Sequence, residues 1–120
     1  MVEIEYYETE RGLCPTIEYF DKLVALNKMQ ENNRIQYKLN LLKEHGHKLH
    51  RPHADILRDN IYELRVQVKR QQYRLLYFFF YQEKIIISHV IIKKGKVPEK
   101  EIERAISYRA DYMSRNERKT

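Results

Sequence analysis

Apolar and polar positions alternate with a period of two in three consecutive runs in the second half of the chain. The runs cover residues 61–68, 72–81 and 85–92, and short polar segments separate them. This period is the pattern of a β-strand, and connections of a few residues favour antiparallel pairing. The sequence therefore predicts a three-stranded antiparallel meander.

The two faces of these predicted strands differ in polarity. In residues 61–68, apolar side chains alternate with Glu63, Arg65 and Gln67, which gives one apolar face and one charged face. Burial of a guanidinium without a partner is costly, so the charged face requires an anion or water. Residues 72–81 are apolar on both sides, which is typical of a central strand.

One titratable side chain interrupts the apolar run of residues 85–92. Strict alternation puts His89 on the same face as Ile85 and Ile87. Two interpretations of His89 stay open: a hydrogen-bonded histidine in or near the core, and a residue of a functional site.

The first part of the chain predicts a strand followed by two helices. Residues 2–7 alternate as a strand with one buried face, and Pro15 suits the first position of a helix that reaches about residue 27. A second helix covers Met29–His45, with Gly46 as its C-terminal cap. Only a residue or two joins the helices, which favours an antiparallel helical hairpin.

The predicted helices each have an apolar stripe and a cationic surface. Arg34 and Lys38 are among the cationic residues, and we expect them on a solvated face. The stripes consist of Ile17, Phe20, Leu23 and Val24 on the first helix, and of Ile35, Leu39 and Leu42, widened by Tyr37 and Leu41, on the second.

A third helix starts at Pro98 and ends before a frayed tail of residues 116–120. Together the elements predict an α+β fold in a single domain of residues 1–120. The expected architecture is a small, mainly antiparallel four-stranded sheet with a two-helix hairpin on one face and a C-terminal helix, in the order β-α-α-β-β-β-α.

Composition narrows the class of protein. The formal net charge is +6 and the pI is about 9.4, which indicates an acidic partner, with nucleic acid first and an acidic protein segment second. The single cysteine, Cys14, excludes an intrachain disulfide and a zinc site built from cysteines. Neither a membrane span nor a signal peptide is evident, so we expect a cytoplasmic protein with no membrane partner.

Four histidines lie close together in a basic segment between the second helix and the first run. They invite a metal hypothesis, but no cysteine or carboxylate joins them at a recurrent ligand spacing before Asp55. We expect instead a loop that contributes positive charge and one proton-transfer imidazole, and we predict no metal or cofactor. The histidines are His45, His47, His50 and His53.

The available side chains limit the possible chemistry. The chain contains no glycine-rich phosphate loop, no helical metalloprotease motif and no serine nucleophile in an elbow motif. Arginine and lysine beside tyrosine and histidine fit RNA cleavage by the adjacent 2′-hydroxyl, which needs a base, an acid and cations around the phosphorane. From the residues alone, passive RNA binding is an equally good interpretation.

The order of predicted elements, with a series of short motifs, resembles the RelE/ParE superfamily of bacterial toxins, and in particular the phage-derived RelE/HigB-like family. This chain departs from the family pattern in being one residue shorter between Lys94 and Pro98, and in having Val90 and Ile91 where members often carry Gly and Phe. The matching motifs are Ile4-Glu5-Tyr6-Tyr7, Pro52-His53, Leu57-Arg58-Asp59, Tyr62-Glu63-Leu64-Arg65, Tyr73-Arg74-Leu75-Leu76-Tyr77-Phe78, His89 before Lys93-Lys94, and Pro98 before Glu101-Ile102-Glu103-Arg104-Ala105.

The resemblance implies a RelE-like fold and the toxin of a type II toxin-antitoxin pair, an endoribonuclease that cuts mRNA on the ribosome. It also implies a cognate antitoxin, often with a helix-turn-helix domain. The toxin would contact operator DNA only through this antitoxin. Two alternatives are a protein of this superfamily that binds RNA or the ribosome without cutting, and a ParE-like toxin that inhibits DNA gyrase.

By position in the family motifs, the implied catalytic residues are Arg65, Arg74 and Lys93. The arginines would position phosphate and stabilise charge, and Lys93 would stabilise charge or transfer a proton. Arg74 has an alternative interpretation as a structural ion pair with Glu63. The ribonuclease interpretation requires cationic groups that converge on one face of the sheet and are not locked in bridges with acidic neighbours. The implied RNA-binding residues are Lys69, Tyr73, Lys94, His89 and His53.

Overall fold

The structure, a computed structural model, describes residues 2–117 and contains a five-stranded mixed sheet with helices on both faces. The sheet order is β1-β5-β4-β3-β2. The elements are β1 (Glu3–Tyr6), α1 (Pro15–Ala25), α2 (Met29–His45), a 3-10 turn (Gly46–Lys48), β2 (Ala54–Arg58), β3 (Ile61–Val68), β4 (Gln71–Phe80), β5 (Lys84–Ile92) and α3 (Glu99–Asn116).

The prediction of a four-stranded sheet is wrong, because β2 adds a fifth strand. This short strand pairs antiparallel with the first half of β3, with Ala54 opposite Leu64. The alternation of apolar and polar residues in β2 is too short and too polar to predict a strand from the sequence. The strand is recognised only by its pairing with β3. Asp59 and Asn60, which join the two strands, both have positive φ, as a two-residue hairpin turn requires.

The predicted meander is confirmed, and β4 is the central strand of the sheet. The first strand, β1, closes the other edge and runs parallel to β5, with Ile4 opposite Ile85. A parallel neighbour requires a long connection along the chain, and here the connection includes both helices and the rest of the sheet.

The helices α1 and α2 cover one face of the sheet, as predicted. Ile35, Leu39 and Leu42 of α2 are buried against the apolar faces of β3, β4 and β5. The predicted stripe of α1 is wrong in part, because Ile17 and Val24 are exposed. Tyr37, expected to widen the stripe of α2, is also exposed. Tyr19, Phe20 and Leu23 supply the packed side of α1.

A bulge at Ser88 interrupts the alternation of β5. Leu76 of β4 pairs with His89, but the next residue, Tyr77, pairs with Ile87, so Ser88 is the extra residue. The predicted shared face of His89, Ile85 and Ile87 is therefore wrong. Beyond the bulge, the His89 side chain lies on the opposite face, where α3 packs.

The third helix covers this second face through Ile102, Ala105 and Tyr112. Asn116, assigned by the sequence to a frayed tail, is the last residue of α3, and its amide donates to the Tyr112 carbonyl. Residues 118–120 of that predicted tail lie outside the described residues. None of the helices within residues 2–117 has the length and apolarity needed to cross a membrane.

Candidate nucleic-acid interface

A cationic groove follows the part of β3 that β2 leaves uncovered. The pairing of β2 ends with Ala54 opposite Leu64, so beyond Arg65 this edge of the sheet is open. Two adjoining depressions of about 350 and 510 Å³ lie there and share three lining residues. The cationic groove is defined by Arg34, Lys38, Arg65, Gln72, Arg74 and Lys96.

A buried carboxylate holds the two arginines of the sheet side by side. Arg65 and Arg74 are direct cross-strand partners, an arrangement of like charges that is unfavourable alone. Glu63 lies between them: one carboxylate oxygen accepts from Arg74 Nη1 at 2.5 Å, and the other accepts from Arg65 Nε and Nη2 at 3.1 and 3.0 Å. The charged face of β3 thus obtains its anion from within the protein.

Both terminal nitrogens of Arg74 are engaged by protein groups. Its Nη2 donates to the Gln72 side-chain oxygen at 3.0 Å and to the Gly95 carbonyl at 2.8 Å, in addition to the contact with Glu63. The residue is only 7% exposed. The geometry corresponds to the structural ion pair with Glu63, and the catalytic role of Arg74 stays a prediction.

Arg65 also forms an ion pair with Glu63, but its guanidinium remains exposed to the groove. Its side chain is 36% exposed, and Asp55 approaches Nη2 at 3.5 Å. Within residues 2–117, Nη1 has no hydrogen-bond partner. The requirement for unlocked cations therefore fails at Arg74, whereas Arg65 retains donors for a phosphate.

Two other predicted RNA-binding residues lie in the interior. Tyr73 is fully buried and packs edge-on against Tyr19, and burial raises the pKa of its phenol. His89 is buried between β5 and α3, where it contacts Ser88 and Glu101. Neither side chain reaches the surface, so neither offers RNA a direct contact in this structure, and the interpretation of His89 as a core histidine is confirmed.

The three predicted lysines are exposed but do not line the cationic groove. Lys69 lies in the β3–β4 turn with φ of +57° and borders a further depression beside Arg34. Lys93 donates its backbone N–H to the Gln72 carbonyl at 2.9 Å, which anchors the loop that follows β5. Neither Lys93 nor Lys94 lines the cationic groove; Lys96, which the sequence did not select, does.

His53 and Lys38 form a pair that only the fold reveals. The Lys38 Nζ lies 2.9 Å from His53 Nδ1. Lys38, expected on a solvated face, is buried because it shares the inward side of α2 with Ile35 and Leu39. Its position one turn after Ile35 was a signal in the sequence that could have identified it.

The pKa values of both members of this pair are lowered. For Lys38 the main cause is burial, followed by the nearby charge of Arg34. For His53 burial again comes first, followed by the charges of Lys38, His50, Arg34 and His45. Both shifts favour the neutral form of the side chain.

Other histidines of the basic segment have separate partners. His47 stacks on Phe79 with ring centroids 3.5 Å apart, and His50 Nδ1 lies 2.8 Å from the Arg51 carbonyl. In the described part of the chain, no three His, Cys, Asp or Glu side chains are grouped closely enough to hold a metal ion. The groove itself combines five cations with the carboxylates of Glu63 and Asp55, so its charge favours an anionic ligand.

A comparison with models of protein families identifies the family of this chain. The family model described as "Phage derived protein Gp49-like (DUF891)" matches residues 21–109, which include all of the cationic groove. No curated protein shows significant similarity to the chain. Because the match spans well over half of the sequence, the chain belongs to the phage-derived Gp49-like family, which is associated with RelE-like toxins.

Proposed function

We propose that this protein is the toxin of a type II toxin-antitoxin system and an mRNA interferase that cuts translated message in the cytoplasm. The observation that carries the proposal is the environment of Arg65. Its guanidinium is oriented by Glu63 and remains exposed, in a groove that also presents Arg34, Lys38 and Lys96. Such a preorganised set of donors suits a single-stranded phosphodiester backbone.

The reaction is attack of a 2′-hydroxyl oxygen on the adjacent phosphorus. The O2′–P bond forms, the P–O5′ bond breaks, and the products are a 2′,3′-cyclic phosphate and a 5′-hydroxyl. The 2′-hydroxyl proton passes to water, and the departing 5′-oxygen takes a proton from water. Arg65 stabilises the added charge on the phosphorane, because its position is fixed before the reaction begins.

The groove contains more cations than proton-transfer groups, which supports a need for the ribosome. His53 is the imidazole next to the groove, whereas His89 is buried beneath α3. Alignment of the message by the ribosome can supply much of the barrier reduction, since correct positioning alone accelerates a reaction strongly. No metal or cofactor is required for this chemistry.

Neutralisation by a cognate antitoxin forms part of the proposal. A net charge of +6 and an open cationic groove favour a partner with an acidic segment. Covering Arg65 and Arg34 would block access of RNA. We propose that the antitoxin also carries the helix-turn-helix domain and provides the contact with operator DNA.

The test is expression of the toxin in growing cells, with mapping of mRNA ends. We expect growth arrest and cleaved, translated messages, and we expect Arg65→Ala with Lys93→Ala to abolish both. Lys43→Ala, on the exposed side of α2, is the control and should remain toxic. If the folded double variant is fully toxic, the assignment of these residues is wrong.

The same experiment separates the other two functions. Arrested translation with intact messages would support occlusion of the ribosome by a protein that only binds RNA. Double-strand DNA breaks with intact messages would support gyrase inhibition of the ParE type. Either result would exclude the mRNA interferase.

A further inference from the structure

A lysine and a histidine form a close pair at the wall of the cationic groove. Lys38 projects from α2, and its Nζ lies 2.9 Å from Nδ1 of His53, in the segment before β2. A hydrogen bond of 2.8 Å from the Arg65 N–H to the His53 carbonyl fixes that segment beside the groove. Lys38 and Arg65 therefore line the same depression, and His53 contacts Lys38.

Packing within the protein does not explain the buried lysine. Lys38 is only 6% exposed, and a buried ammonium group normally has a carboxylate partner. Lys38 has none within residues 2–117; its charged neighbour is Arg34, which repels it. The protein thus holds an uncompensated positive charge against an open groove, which is costly unless an anionic ligand binds there.

The histidine is poised to change its protonation state. The groups that face it are Lys38, Arg34 and His45 from α2 and His50 from its own loop, and burial and these charges keep the ring neutral. Nearby Arg51 and Asp55 bridge to each other and leave little net charge on that side. The Lys38 ammonium can only donate, so Nδ1 of the neutral His53 ring accepts and the ring proton lies on Nε2.

We propose that Lys38 and His53 form a proton-linked phosphate subsite for single-stranded RNA. One phosphodiester accepts from Lys38 Nζ, which gives up its hydrogen bond to His53 Nδ1, and Nδ1 takes up a proton. The inference rests on the proposed function in that RNA is the ligand. The negative charge of the phosphate offsets the positive field that keeps the imidazole neutral, so the charged form becomes favourable. By linkage, affinity for RNA rises as the pH falls.

The direct test is NMR titration of the five histidine rings, with His53→Asn used to assign the His53 signal. The probes are inorganic phosphate and, separately, a 2′-O-methyl RNA oligonucleotide, which lacks the attacking hydroxyl and is not cut. We expect saturation with either probe to raise the pKa of His53 by about one unit or more. The four other histidines are internal controls and should shift less.

Binding measurements on variants test whether RNA binding is coupled to protonation of His53. We expect Lys38→Met to weaken binding of the 2′-O-methyl RNA about tenfold, the loss typical of one charge-assisted contact. The gain in wild-type affinity between pH 8 and pH 6, about fivefold, should disappear in both Lys38→Met and His53→Asn. Lys43→Met, an exposed lysine on the same helix, should retain the affinity and the pH dependence.

The outcomes separate this inference from the proposed function. If RNA binds but the pKa of His53 stays constant with both probes, the proton-linked subsite is wrong and the proposed function stands. If RNA does not bind while phosphate raises the pKa of His53, the pair is a phosphate site but not one for RNA, and the inference fails together with the proposed function. Thermal unfolding of each variant confirms that the fold is intact, and His53→Asn keeps the test decisive if Lys38→Met does not fold.

Discussion

At the scale of single residues, the site depends on one buried carboxylate. Glu63 accepts hydrogen bonds from Arg65 and Arg74 with different oxygens. It allows two like charges to face each other across neighbouring strands, and it leaves one of them accessible. Such an arrangement tolerates removal of an exposed partner better than removal of the buried one.

We expect Glu63→Gln to destabilise the protein by about 3 kcal/mol, because a buried guanidinium loses its counter-charge. Urea unfolding followed by circular dichroism measures the loss. Glu103→Gln, which alters an exposed bridge to Arg58, should change the free energy of unfolding by less than about 1 kcal/mol. Equal effects of the two substitutions would show that Glu63 is not the structural centre of the cluster.

Arg65 should behave in the opposite way. We expect Arg65→Ala to lower mRNA cleavage about 100-fold or more, as loss of a transition-state donor does, while the free energy of unfolding changes by about 1 kcal/mol. Arg65→Lys should restore little of the cleavage activity, because one ammonium group cannot bind Glu63 and a phosphate at the same time. Cleavage of a translated reporter message and urea unfolding give the two readouts, and full activity of Arg65→Ala would exclude its role.

At the scale of elements, the bulge in β5 orients a histidine that contacts α3 and holds this helix on the sheet. The extra residue, Ser88, turns His89 towards α3, where Nδ1 lies 2.7 Å from the Ser88 hydroxyl and Nε2 lies 3.0 Å from Glu101. A neutral ring that donates to Glu101 and accepts from Ser88 satisfies both nitrogens. The docking of α3 therefore depends on the protonation state of one buried histidine.

We expect stability to fall as the pH drops from 6.5 towards 4. Burial, reinforced by Arg104 and opposed by Glu101, lowers the pKa of His89 to about 4, whereas the unfolded chain binds the proton near 6.5. The unfolded state thus gains protons first, and the loss reaches up to about 3 kcal/mol. Urea unfolding across this range measures it.

The control for this pH effect is a pair of variants. His89→Gln should show a smaller loss over the same range, because the group that titrates is absent. His47→Gln, an exposed histidine, should follow the wild type. Identical pH profiles for His89→Gln and the wild type would contradict the assignment.

At the scale of the whole molecule, charge and architecture act together. The groove follows the open edge of β3, and its Arg65 and Arg74 side chains lie on the same face of the sheet as α3 and His89. The net charge of +6 attracts a polyanion from a distance, and the groove decides where it binds. Binding should therefore depend on both ionic strength and the groove cations.

We expect the logarithm of the RNA association constant to fall linearly with the logarithm of salt concentration, with a slope of about −2 to −3. Arg65→Ala and Lys38→Met should each reduce the magnitude of the slope by about 0.7, the value for one phosphate contact on a single strand. Fluorescence anisotropy with labelled 2′-O-methyl RNA measures the slope. A slope that both variants leave unchanged would place the RNA elsewhere.

Much of the fold follows from local patterns in the sequence. The bounds of β3 and α2, the central position of β4 and the helices on one face were predictable, because a period of two or 3.6 forces side chains onto one side of an element. β2 was missed, although Asp59 and Asn60 before β3 are a signal for a hairpin turn. Its strand is too short to show a period and needs the ladder of β3.

The sequence by itself determined the class of fold, the excess of positive charge and the presence of Arg65 on a charged strand face. The tertiary structure alone decided which charges are available. Burial removed Tyr73 and His89 from the surface, Glu63 locked Arg74, and the packing of α2 on the sheet brought Lys38 to His53. The physical reason is that burial and pairing are set by contacts between elements distant in the chain, and a local pattern contains no information about them.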